Sequence, residues 1–143
     1  MRANRDSIAA LLAVAAFLLV VFLGFWKTRG PGTQRLFRAD AKRIQNISQL
    51  SNEISREYRQ AKEQLPERLT DVQKTRYADP LTSQPLVYSP KPPSGFALCT
   101  TFATNSPKEE VNGAFAFWAH QAGARCFEFD AVTQAPQAPY FYY

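Results

Sequence analysis

Two cysteines, a single histidine and two acidic pairs are the side chains of this chain with the chemistry for a site. Cys99 and Cys126 lie 27 positions apart, without a CxxC spacing and without the further ligands that a metal ion would need. A structural bridge is the default for such a pair, and a loop of that length makes it worth roughly 3.5 kcal/mol by the chain-entropy argument. His120 has no acid or metal partner set by spacing. Its expected role is structural, the ring bonding a backbone carbonyl near the loop between Trp118 and Cys126. Glu53/Glu57 and Glu109/Glu110 read as a solvated helix face and a loop rather than as the paired carboxylates of a glycosidase. Asn46-Ile47-Ser48 matches a glycosylation acceptor but falls inside an expected helix. With no nucleophile, phosphate loop or metal cluster, the expectation is a non-enzymatic protein with no cofactor and no small-molecule substrate.

The elements that must position these residues begin with an uninterrupted uncharged run, Ser7 to Trp26. As a helix rising about 1.5 Å per residue it spans about 30 Å, the thickness of a bilayer's hydrocarbon core. Its exit, Leu23-Gly24-Phe25-Trp26-Lys27, offers no small-x-small cleavage site, and the aromatic pair suits headgroup depth. The run is expected to be an uncleaved anchor, making the protein a single-pass component of the inner (cytoplasmic) membrane. The 17 Lys and Arg against 12 Asp and Glu, net +5, suggest nucleic acid at first sight. Most of the surplus, however, gathers beside the anchor at Lys27, Arg29, Arg35, Arg38, Lys42 and Arg43. There it reads as a solvated juxtamembrane face or as contact with anionic headgroups. Membrane lipid, not nucleic acid, is the expected partner. A count of those cations places the following chain in the cytoplasm, whereas an even number of cysteines in a small domain points to an oxidising compartment.

Five stretches follow from this patterning: a basic N-terminus (1–6), the transmembrane helix (7–26), a Gly/Pro linker (27–33), an α+β domain (34–132) and a Pro/aromatic tail (133–143). The linker contains Gly30-Pro31-Gly32, which breaks a helix, and Thr33, which can cap the next. From Gln34 to Gln64 apolar residues recur at Phe37, Ala41, Ile44, Ile47, Leu50, Ile54, Tyr58 and Ala61, one stripe of a long amphipathic helix that ends before Leu65-Pro66. Arg38, Lys42, Arg43, Asn46, Asn52, Arg56 and Glu63 make its wet face. A short helical turn is expected around Glu67 to Lys74, then an Asp79-Pro80-Leu81-Thr82 turn feeding a brief strand near Tyr88. Phe96 to Thr104 alternates as a strand, with Phe96, Leu98 and Phe102 on one face and Ala97, Cys99 and Thr101 on the other. Arg125 to Val132 does the same with Phe127 and Phe129 opposite Cys126 and Glu128. Pairing the two strands antiparallel brings both sulfurs to one side while the phenylalanines pack on the long helix. Ala114 to His120 reads as a further strand or an irregular segment. Tyr140-Phe141-Tyr142-Tyr143 is an aromatic end that either packs back on the sheet or docks on a partner or membrane surface.

An anchor, a long helix ending in Leu65-Pro66 and a small sheet, in this order, resemble the type IV pilins and type II secretion pseudopilins. Arg38-x-Asp40, Leu98-Cys99-Thr100-Thr101-Phe102 and Trp118-x-His120-x-x-Gly123-x-x-Cys126-Phe127 look like those of a family of pseudopilin-like bacterial membrane proteins. The resemblance covers roughly residues 34–129. It implies a pilin-like fold, an extracytoplasmic (periplasmic) domain held by one disulfide, Trp118, His120, Gly123 and Phe127 as structural motif residues, and envelope or secretion-system proteins as partners. Filament-forming members carry a peptidase site before the apolar run and an acidic residue within it. Here Gly24-Phe25 closes the run and no acid lies inside it, so the chain is expected to keep its N-terminus and act as an envelope scaffold or interaction module, with an accessory role in a secretion or pilus system as the alternative.

Overall fold

The computed structural model describes residues 2–27, 31–107, 115–133, 135–136 and 138–139. The chain divides into two compact units, residues 1–34 and 35–143. The first is dominated by helix α1, Arg2–Lys27. Its Ser7–Gly24 window has a mean hydropathy of 2.8 with none of its residues buried, and it is long and apolar enough to cross a membrane. Leu11, Leu12, Phe17, Leu19 and Phe22 project from all sides of the helix and are each more than half exposed. Such surface is costly in water at about 25 cal/mol per Å² and costs nothing in hydrocarbon.

Helix α2, Pro31–Gln60, is amphipathic. It begins at Pro31 rather than after a linker ending at Thr33, because proline is preorganised for the first helical position, where its missing N–H costs no bond. It also ends earlier than the Leu65-Pro66 signal suggests. The Glu63 N–H donates to the Tyr58 carbonyl at 3.0 Å, and Lys62 adopts a left-handed φ of 54°. That 6→1 bond closes the helix from its own backbone before the proline can act. Ala41, Ile44, Ile47, Leu50, Ile54 and Tyr58 are buried as one stripe, while Ala61 is exposed.

Helix α3, Asp71–Arg76, starts in a capping box: the Gln73 N–H donates to Thr70 Oγ1 and the Thr70 N–H to Gln73 Oε1. Three antiparallel strands follow in the order β1 (Val87–Lys91), β2 (Gly95–Phe102) and β3 (Gly123–Asp130). The register sets Phe96 opposite Phe129, Leu98 opposite Phe127 and Cys99 opposite Cys126. The fold class is therefore α+β. Between β2 and β3, Ala116–Trp118 forms a single 3-10 turn, the irregular alternative rather than a strand, with Trp118 fully buried. The stripe of α2 and the phenylalanines of β2 and β3 join in one core with Trp118 and Ala131. Ala135 and Ala138 pack against that core; Tyr140–Tyr143 lie outside the described residues.

Candidate functional site

The segment from Trp118 to Phe127 holds the residues singled out by the sequence. Gly123 opens β3 at a φ of +115°, a backbone region that only glycine enters without strain. Three residues later Cys126 is bonded to Cys99 directly across the ladder, Cα atoms 4.0 Å apart. Phe127 turns to the other side of the sheet and meets Trp118 with ring centroids 5.3 Å apart. The His120 ring stacks on Phe102 at 3.7 Å. Its Nδ1 lies 2.9 Å from the Trp118 carbonyl, and since a carbonyl only accepts, Nδ1 carries the proton. Ser106 Oγ, also 2.9 Å from Nδ1, accepts the His120 backbone N–H. Nε2 is buried without a hydrogen-bond partner among the described residues. Burial holds the ring's pKa below its ordinary value, with Arg125 adding to that, against the opposing pull of the Trp118 carbonyl and Asp40. A neutral ring clamped at one nitrogen and sealed at the other packs the loop onto the sheet. The structure brings His120, Gly123 and Phe127 around Phe102 at the end of the β2–β3 ladder, with Trp118 against Phe127; the aromatic residues Tyr140, Phe141, Tyr142 and Tyr143 lie outside what it describes, as do Glu109 and Glu110.

Two polar clusters on α2 escaped the sequence reading. Arg43 and Asn46, expected on the wet face, are buried, Arg43 to 4 % exposure. Arg43 donates from Nη1 to Asp40 and from Nε to Asp79. Asp40, itself only 3 % exposed, accepts the Ala103 N–H at 3.0 Å and both the N–H and the hydroxyl of Thr104 at 2.7 Å. Asp79 also accepts the N–H groups of Leu81 and Thr82 at 2.8 Å, closing its own turn. Burial alone would raise the Asp79 pKa, but the Arg43 guanidinium and the two N–H bonds outweigh it and pull it down to about 2. Burial likewise opposes the charge on Arg43, and the two carboxylates overcome it, raising its pKa. Asn46 adds a bond to the Ala78 carbonyl at 3.1 Å. Asp40 thus ties α2 to the exit of β2, and Arg43 ties it to the Asp79 turn. A signal for it existed: Asp40 lies four positions before Ile44 and seven before Ile47, on the apolar stripe itself.

The second cluster corrects the reading of Glu53 and Glu57 as a solvated face. Both are half-buried and share the amide of Gln73, whose Nε2 donates to Glu53 at 3.1 Å and to Glu57 at 2.8 Å. The Tyr77 hydroxyl donates to Glu53 at 2.6 Å, and Arg76 lies 3.6 Å from it. Their pKa values move apart. The Tyr77 hydrogen bond leads in holding Glu53 low, whereas burial and the neighbouring Glu53 charge push Glu57 up. The cluster fastens α3 onto α2.

Near the cystine, Arg43, Asp79, Pro85, Val87 and Cys99 border an open hollow of about 390 Å³ whose charged groups are already paired with each other. Among the described residues no group of three or more His, Cys, Asp or Glu side chains could hold a metal ion. Set beside family models, curated proteins and solved structures, the chain gives no match, so its assignment rests on its own sequence and geometry.

Proposed function

We propose that this protein is a single-pass membrane protein whose α+β domain lies outside the cytoplasm and serves there as a non-catalytic scaffold or interaction module. The observation that carries the reading is a cystine in the domain that follows a bilayer-length, unburied apolar helix. A disulfide persists where thiols are not kept reduced, and an apolar helix of this kind needs lipid around it. The burial of Asp40 and Arg43 in a paired network, and the clamping of His120, support a structural use of the domain's polar groups. A pilin-like fold, and with it residence in the inner membrane among envelope proteins, is the part of this proposal that the Trp118 to Phe127 motif supports.

Thiol labelling of intact cells tests the topology. Neither cysteine should react with a membrane-impermeant maleimide until an impermeant reductant is added, after which both should. No labelling even after the impermeant reductant, together with labelling by a membrane-permeant maleimide, would place the domain in the reducing cytoplasm and end the proposal. Affinity purification from native membranes then separates the scaffold reading from an accessory pseudopilin role, which requires a secretion or pilus ATPase and its platform protein among the captured partners.

A further inference from the structure

The exposed charged residues of α2 are all cations. Arg35, Arg38, Lys42, Arg56 and Arg59 are exposed, whereas the helix's three acids all turn inward, Asp40 into its buried network and Glu53 and Glu57 onto Gln73. None of the five cations forms a salt bridge among the described residues. At about 100° per residue, Arg35, Arg38 and Lys42 fall within an arc of about 60°, opposite the buried stripe. Arg56, farther along, lies in the field of Glu53; among the described residues, the first three have no acidic side chain on their own face of the helix. Arg35 follows Gly24, the last residue of the apolar window, by eleven positions. Even a fully extended chain of that length reaches less than about 40 Å, so covalent linkage alone holds these cations near a bilayer surface.

We propose that Arg35, Arg38 and Lys42 form a docking face for the phosphate groups of anionic phospholipids. The proposal rests on α1 being membrane-embedded, and it assigns a role that the anchor itself does not require. Three guanidinium or ammonium groups along one helix face are opposite in sign to a layer of anionic headgroups, and guanidiniums pair with phosphate oxygens through two N–H bonds at once. Arg43, adjacent in sequence, takes no part, because both of its carboxylate partners are internal.

The test uses the full chain. It is first reconstituted into phosphatidylcholine vesicles and washed at alkaline pH; release from the vesicles would overturn the anchor and this inference together. Retained protein is then taken into neutral detergent with equal phosphatidylglycerol and phosphatidylcholine, and bound lipids are counted by native mass spectrometry. Phosphatidylglycerol should exceed phosphatidylcholine about three- to fivefold, falling toward parity in high salt. The variant R35Q/R38Q/K42Q should lose the preference, while the charge-matched R56Q/R59Q/R68Q, whose third member is an exposed cation between α2 and α3, should keep it. Equal retention of the two lipids by the parent chain, or an equal drop in both variants, overturns the proposal. So does preferential capture of polyglutamate over phosphatidylglycerol by the same three residues, which would assign the face to an acidic protein.

Discussion

The two polar clusters of α2 solve the same problem in opposite ways. Around Arg43 one buried cation sits between two carboxylates, and backbone N–H groups take up the oxygen atoms that remain. Around Gln73 two carboxylates face one neutral amide, so one of them is held ionised by Tyr77 while the other is charged at a cost. The first cluster makes burial tolerable by saturating charge. The second keeps a residual repulsion that only partial solvent exposure makes acceptable. Removing one member should therefore be severe in the first cluster and of either sign in the second.

Replacing Arg43 by Met would leave Asp40 and Asp79 buried without their cation. A loss of about 3–5 kcal/mol is expected in denaturant unfolding of the detergent-solubilised chain. A loss below about 1 kcal/mol would show that the backbone N–H groups alone suffice. Ile54, set between Glu53 and Glu57 on the stripe that runs from one cluster to the other, is fully buried; Ile54→Ala should cost about 2–4 kcal/mol, against under about 0.5 for the exposed Arg56→Ala. If the two cost the same, the apolar stripe is not what joins the clusters.

Acid should separate the clusters by sign. The folded-state pKa of Asp79 lies below its ordinary value, so its stabilisation is complete near neutrality and is lost as pH falls from about 4 toward about 2. Glu57 runs the other way: its folded pKa is raised, so its ionisation costs stability and protonation relieves that cost. Acid unfolding followed by circular dichroism should show a net loss below about pH 4, shallower in Asp79→Asn, whose starting stability is lower. A parallel curve for that variant would remove Asp79 from the account. The smallest effects should fall in the second cluster. At neutral pH Glu53→Gln should destabilise by about 1–2 kcal/mol through its Tyr77 bond, whereas Glu57→Gln should be neutral or slightly stabilising. Equal destabilisation by both would make the clusters alike.

What could be read in advance depended on how far each partner lies along the chain. The stripe from Ile44 to Tyr58 is a local period and was legible from spacing alone, as were the β2 and β3 alternation and the pairing of Cys99 with Cys126. Arg43 was misplaced because its partner Asp79 lies 36 positions away and the Thr104 groups on Asp40 lie 64 away. A helical wheel ranks residues by polarity and cannot see a distant carboxylate that makes burial favourable. The same holds for Glu57, which looks solvated until α3 supplies Gln73 sixteen positions on. The end of α2 is hidden for a different reason: Pro66 marks the sequence, whereas a left-handed Lys62 leaves no mark in composition.

The cystine between β2 and β3 also decides how the domain yields to a pull. Any load carried from an anchored N-terminus to a partner gripping β3 must pass through Cys99, and with the bridge closed the 27 positions up to Cys126 cannot lengthen. At about 3.4 Å per residue, that keeps about 90 Å of contour out of play. Residues 35–98 can still unfold under load, but with the bridge closed the extension stops at Cys99, and opening one covalent bond lets the tether lengthen by that further span.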